Sequence, residues 1–331
     1  MQAVHVEADE LVHLLQDPGA RLPADRTVVL TVDVADAVAA GVADSAPSGR
    51  PAVVVGLSDE PGSRPAWCDL VLGHAEYDAL GATVDTVARN PVASLTLVEL
   101  LRVSDGLDVA AGLLAESASY GVLQAGAEFA RWRRSRVATT RPADTDEPLL
   151  VRREGPSLQL TLHRPSRRNA LDVALRDALV EQLQLVHCDP TITEVLIDGS
   201  GAGFCSGGDL DEFGTADDAS LAHLVRLERS IGRALAAVAP RLTVRLHGAC
   251  IGSGIELAAF AARVEVHGPV SIGLPELTMG LIPGAGGTVS LPRRIGRHRT
   301  CRLALTGERL DGPTARDWGL VDALCPAPEP C

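Results

Sequence analysis

Apolar positions in the second half of the chain switch repeatedly between a period of two and a period near 3.6. SLQLTLH (157–163) alternates as a half-buried strand does, and LDVALRDALVEQLQLVHCDP (171–190) carries a helical pattern that Asp189-Pro190 ends. EVLIDG (194–199) predicts a second strand, followed by a glycine-rich loop. Leu221, Leu224, Val225, Ile231, Leu235 and Val238 recur at helical spacing, so a helix is expected near 217–238. LTVRLHG (242–248) predicts a third strand. Strands alternating with helices define an α/β layered fold.

The first half has shorter apolar runs. TVVLTVDV (27–34), PAVVVG (51–56) and CDLVLG (68–73) predict strands, and helices are expected near 76–89, 92–103 and 107–135. Leu113, Leu114, Tyr120, Leu123 and Phe129 carry the last helix, while Gly121 and Gly126 weaken it. Between the halves, RVATTRPADTDEP (136–148) is polar, proline-bearing and aperiodic. The chain therefore divides into an N-terminal region (1–136), a linker (137–150) and a C-terminal domain (151–331).

Composition narrows the choice of partners. The 331 residues suit two modest domains, and 46% hydrophobic with 22% charged residues is ordinary for a soluble globular protein. A net charge of −13 argues against nucleic acid and anionic membranes, yet leaves room for a local basic site facing a phosphate. All 30 basic residues are arginine, which removes Schiff-base chemistry on lysine. Seven cysteines without CxxC or metal-type spacing predict a reduced, cytoplasmic chain. Neither a secretory leader nor an apolar run of ~20 residues is evident, so no membrane association is expected.

Two acids stand where a core would be apolar. In GACIGSGIELAAFA (248–261), Glu256 sits between a glycine-serine run and Leu257-Ala258-Ala259-Phe260, and Glu276 is set similarly in SIGLPELTMGLIPGAGGT (271–288). A buried carboxylate is costly unless it is hydrogen-bonded or used. In GSGAGFCSGGDLDEF (199–213), Gly207 and Gly208 allow a tight turn, and Asp209 and Asp211 suit the first turn of a helix. Gly252-Ser253-Gly254 repeats that construction ahead of a helix expected near Ile255. Were the two loops to meet, their free N–H groups would converge as an oxyanion hole flanked by two carboxylates able to relay a proton. His163, His247 and His267 lack metal-ligand spacing and read as satisfied or exposed side chains. Cys205 and Cys250 read as packing residues.

From about 157 to 325 the chain resembles the enoyl-CoA hydratase/isomerase, or crotonase, family. LHRPSRRNALD (162–172), GAGFCSGGDL (201–210), HGACIGSGIELA (247–258), LPELTMGLIPGAGGT (274–288) and RDWGLVDAL (316–324) carry the likeness, in family order. The resemblance implies a crotonase-like spiral of ββα units, here following an N-terminal α/β region. It implies that Gly208 and Ser253 supply backbone N–H donors to a thioester oxygen. Glu256 and Glu276 match both glutamates of the true hydratases, one activating water for attack at C3 and the other protonating C2, with acid and base left unassigned. Gly284 matches the start of a helix near the acyl group. Arg164, Arg167 and Arg168 fall where the family places basic residues near the CoA phosphates, with a solvated arginine cluster as the alternative. Ser206, Gly207, Asp209, Leu210 and Gly252 complete the implied substrate contacts.

The implied activity is hydration of a 2,3-unsaturated acyl-CoA without metal or redox cofactor, CoA arriving with the substrate. Isomerisation or dehydration on the same enolate, or a non-catalytic acyl-CoA-binding subunit, are the alternatives. A homo-oligomer, trimer or hexamer, is the family expectation. Family members continue past the equivalent of WGLVDAL into a helical tail, whereas CPAPEPC follows here. Residues 88–136 look like that tail moved to the N-terminal side: a proline-led helix with paired leucines, a long helix bearing an acid and an aromatic, then a basic cluster. Their docking in cis on the C-terminal domain is the corresponding expectation.

Overall fold

A computed structural model describes residues 3–16, 29–42, 52–60, 62–136, 147–216 and 218–326. Most of the expected linker (137–146) and the first two residues of the expected strand at 27–34 lie outside these. The N-terminal part runs β1 (Val4–His5), α1 (Ala8–Gln16), β2 (Val29–Asp33), α2 (Val34–Ala39), β3 (Val53–Leu57) and β4 (Leu70–Leu72). Helices α3 (Tyr77–Arg89), α4 (Pro91–Ser104), α5 (Val109–Gln124) and α6 (Ala127–Ser135) follow. The C-terminal part runs β5 (Leu149–Glu154), β6 (Ser157–Leu162), α7 (Val173–Cys188), β7 (Glu194–Gly199), α8 (Ala219–Glu228), α9 (Ile231–Val238), β8 (Leu242–Ile251) and α10 (Ser253–Ala258). It closes with β9 (Arg263–Gly273), α11 (Gly287–Thr306), α12 (Gly312–Asp317) and β10 (Ala323–Cys325).

Two sheets result. The smaller is parallel throughout, in the order β1-β2-β3-β4. Its strands are apolar on both faces because both are covered: Val29, Val53 and Val55 join the main core, while Leu30, Val32 and Val54 pack with Leu11, Leu14 and Trp67. The larger sheet, β10-β9-β8-β7-β6-β5, is parallel except for the antiparallel edge pair β5–β6. Leu149 and Leu150, assigned to the linker by sequence, already belong to that edge strand. Here the alternation is one-sided. Leu158, Leu160 and Leu162 of β6 face the core with Val195, Ile197, Val244 and Leu246, while Arg245, Arg263 and Glu265 pair on the outer face.

Helices α3–α6 share one continuous apolar core with strands of both sheets. The start of α4 has a local cause. Pro91 occupies the first turn, and the Glu128 carboxylate of α6 accepts from the amides of Val92 (2.9 Å) and Ala93 (3.0 Å). A fully buried ion pair fixes α4 to the small sheet: Arg102 donates to both oxygens of Asp69 (2.8 and 2.6 Å) and to the Ala52 carbonyl. Arg297 of α11 reaches the residue before Asp69, donating to the Cys68 carbonyl at 2.9 Å. Asn90 Nδ2 donates to the Leu277 carbonyl (2.7 Å), and Arg136 pairs with Asp211 (2.9 Å). The 77–135 helices therefore dock on the C-terminal part of their own chain.

Three expectations are corrected in detail. The helix expected over 107–135 is two, because the chain breaks at Ala125-Gly126. The helix expected over 217–238 also divides, since Ser230 leaves helical geometry and its hydroxyl accepts from Arg233 N to start α9. No helix begins at Asp209. The chain runs through turns to residue 216, and Asp218 caps α8 instead.

Candidate active site

A cavity of about 400 Å³ opens between the loop after β7, helix α10, the 284–286 turn and helices α5 and α8. Glu256 projects from the first turn of α10, which begins at Ser253, and Glu276 opens the short 3₁₀ turn Glu276–Met279 behind Pro275. Both carboxylates line the cavity together with Gly208, Ser253 and Gly284. Among the described residues neither the Gly208 nor the Ser253 amide donates to another protein group. Leu171 N to Gly207 O (2.8 Å) and Asp209 N to Leu171 O (2.9 Å) pin the chain on either side of Gly208.

Glu276 and Glu256 are 7% and 2% exposed. Burial, then repulsion from Glu276 and Glu116, holds the Glu256 carboxyl well above the usual carboxylate range. The amides of Ala285 (2.8 Å) and Gly287 (2.9 Å) donate to its Oε2 and offset part of that rise. Burial likewise lifts Glu276 to about 7, and its Oε2 has no protein partner among the described residues. Gly252 makes room for it. This residue takes φ 51°, and a Cβ there would stand 2.3 Å from Glu276 Oε1.

A third carboxylate completes the group, and sequence reading gave it no role. Glu116 of α5 is 2% exposed and lines the same cavity. It accepts from Gly286 N (2.8 Å), Thr288 N (2.9 Å) and Thr288 Oγ1 (2.7 Å), and burial raises it to about 7. The amides of one turn thus alternate, 285 and 287 to Glu256, 286 and 288 to Glu116. The signal was available in AAGLLAESASYG, where Glu116 is an acid on an otherwise apolar helical face, the criterion that singled out Glu256. Tyr120, one turn on, lays its ring on Gly284, whose Cβ would come within 2.5 Å of it.

Asn169 was also passed over, within the quoted RRNALD. It is fully buried at φ 54°; its Oδ1 accepts from Arg164 N (2.8 Å), and its Nδ2 donates to the carbonyls of Ser200, Gly203 and Phe204 (2.8, 3.0 and 3.1 Å). That side chain ties the loop carrying Gly208 to the turn after β6.

The expected phosphate contacts fare differently. Arg164 is buried and paired with Asp172, a residue of the cavity wall, so its charge is spent on that wall. Arg167 pairs with Asp209 at 3.0 Å, which makes Asp209 a buried structural acid. Arg168 is exposed on a left-handed turn. None of the three lines the cavity, nor do Ser206, Gly207, Asp209, Leu210 or Gly252; Gly207 and Gly252 shape the backbone on either side of it.

The histidines have local partners: His163 Nδ1 with Ser200 Oγ, His247 Nε2 with the Gly201 carbonyl, His267 Nε2 with Glu265. Burial pushes the Cys205 thiol up to about 11, in keeping with a packing role. Glu265, His267 and Cys325 place ligand atoms within 4.8 Å of one another, but Arg245 and Arg263 share Glu265, and two guanidiniums there oppose a cation.

Residues 153–329, more than half of the chain, match the enoyl-CoA hydratase/isomerase family, and the chain belongs to it. Among individual proteins it is 35% identical to the 2,3-dehydroadipyl-CoA hydratase of Escherichia coli over 179 residues, 54% of this chain and 69% of that one. It is 34% identical to the 1,2-epoxyphenylacetyl-CoA isomerase of the same organism over 169 residues, 50% and 64% of the two chains. The crystal structure of enoyl-CoA hydratase from Thermoplasma volcanium superposes with a TM-score of 0.50 at 29% identity, covering 54% of this chain and 72% of that one. A putative enoyl-CoA hydratase/isomerase from Mycobacterium abscessus gives 0.51 at 30%, covering 54% and 71%. The chain thus spans about two thirds of the length of such relatives. None of the described helices is long and apolar enough to cross a membrane.

Proposed function

We propose that the protein hydrates a 2,3-unsaturated acyl-CoA thioester, adding water reversibly through an enolate. The observation carrying this reading is the convergence of Gly208, Ser253, Glu256 and Glu276 on one cavity. In this reading the Gly208 and Ser253 amides form an oxyanion hole for the thioester oxygen, where negative charge develops as the enolate forms. One glutamate takes a proton from water attacking C3, and the pair returns a proton to C2. Burial raises both carboxyls, and repulsion from Glu276 and Glu116 raises Glu256 further, which favours proton uptake by the pair. No metal or redox group is called for. In this reading the α4–α6 helices take the place of the tail expected after the catalytic region, and α5, with α4 and α6 packed on it, lines the cavity.

Loss of the enoyl-thioester absorbance of crotonyl-CoA tests this directly. Glu256→Gln and Glu276→Gln should each lower kcat by about 10²–10⁴-fold, the span of general acid–base catalysis. Full turnover in either variant would overturn the paired-carboxylate mechanism. Double-bond isomerisation is the second reading, supported by the isomerase among the relatives. Solvent deuterium entering the product without net addition of water would select it.

A further inference from the structure

The cavity holds a cation that the hydration chemistry does not use. Arg226 of α8 lines it half-buried, and no carboxylate pairs with it among the described residues. The other cavity arginines differ: Arg176 is paired with Asp177 at 2.8 Å, and Arg229 is exposed. Arg226 instead lies over the Tyr120 ring, 4.8 Å from its centroid. Its Nε donates to Ser117 Oγ (3.1 Å), Nη1 to Gln124 Oε1 (3.1 Å) and Nη2 to the Ser117 carbonyl (3.3 Å).

A guanidinium carries five N–H donors, so these bonds leave one on each terminal nitrogen. The remaining two suit the fork by which arginine takes a carboxylate. Burial disfavours the charge, Glu116 offsets that only through space, and no carboxylate is bonded to the guanidinium among the described residues. Resting on the acyl-CoA reading above, we propose that Arg226 receives an anionic end of the acyl chain, so that the preferred substrate is the mono-thioester of a dicarboxylic acid.

Placement separates this from the phosphates of CoA, the other anions such a substrate brings. Arg226 stacks on one face of Tyr120, whose ring also packs on Gly284, beside the Ala285 amide that holds Glu256. One aromatic side chain thus touches both the guanidinium and the wall that carries Glu256. The phosphates of CoA stand a full pantetheine arm away from the thioester. Leu113, Leu221 and Val225 line the same cavity and suit the methylenes between the thioester and the terminal carboxylate.

Equilibrium binding of adipyl-CoA and hexanoyl-CoA, equal in length and both saturated, tests the proposal without turnover. The protein should bind adipyl-CoA roughly 10- to 150-fold more tightly, the range of a charge-assisted hydrogen-bond pair. Arg226→Gln should remove that preference with hexanoyl-CoA affinity kept, and Arg226→Lys should keep part of it. The same preference should persist on pantetheine thioesters that lack the nucleotide. Equal binding of the two acyl groups by the unmodified protein, or a preference untouched in Arg226→Gln, overturns the proposal. An Arg226→Gln loss shared equally by both CoA thioesters and absent with pantetheine thioesters assigns Arg226 to a phosphate, and also overturns it. Failure of the function reading shows separately, as no binding of either thioester or as binding without turnover of any enoyl-CoA.

Discussion

Replacing Glu116 by glutamine keeps the shape of the side chain and removes one charge from a cluster of three buried acids. Two effects oppose each other. Glutamine offers a single acceptor oxygen to three donors, Gly286 N, Thr288 N and Thr288 Oγ1, so at least one buried amide loses its partner at a cost of about 1–3 kcal/mol. Burial meanwhile raises the Glu116 carboxyl from 4.5 to about 7. Because the folded value is raised, the folded form holds an extra proton between those values. The associated stability is complete below pH 4.5 and is lost as pH rises through 7, about 3 kcal/mol in all at ~1.4 kcal/mol per unit. Glutamine does not titrate and escapes that loss. In urea unfolding, the stability of Glu116→Gln relative to the unmodified protein should shift in the variant's favour by roughly 2 kcal/mol between pH 5.5 and pH 8.5. Parallel stability curves across that interval would mean that Glu116 titrates as a solvated acid, and would refute the account of the shared turn.

Gly252→Ala drives a Cβ to 2.3 Å from Glu276 Oε1 at φ 51°, so kcat should fall by about 10²-fold while far-UV circular dichroism is unchanged; undiminished turnover would show that Glu276 need not hold its position. Asn169→Ala orphans four backbone groups around the loop that carries Gly208, and a loss of about 2–4 kcal/mol in denaturant unfolding is expected; a loss below ~1 kcal/mol would mean that the loop is held elsewhere.

Much of this was legible in the sequence where one segment decides its own structure. The strands at 157–162 and 194–199 and the helices at 77–89 and 91–104 follow from apolar spacing and from signals such as Pro91. Glu256 and Glu276 stood out as acids in apolar company. What escaped depends on distant partners. The exception is local, the Ser230 hydroxyl accepting from Arg233 N to start α9; Arg164, by contrast, looks like a phosphate ligand until Asp172 is seen beside it. Glu116 was read as part of a helix because the amides that give it a role lie 170 and 172 residues further along.

Those separations bear on how the molecule is made. A ribosome delivers α4–α6 well before the 285–288 turn, so the face of α5 that ends against Glu256's loop emerges without its partner. Leu97, Leu101, Leu123 and Phe129, all in the main core, must wait with it until the C-terminal part arrives. Closing so long a loop adds little to its thermodynamic cost, which grows only with the logarithm of length, but it makes native contacts late and folding slow. Chain order delivers one wall of the cavity before the residues that carry its chemistry, so the site is complete only when both have been made and joined.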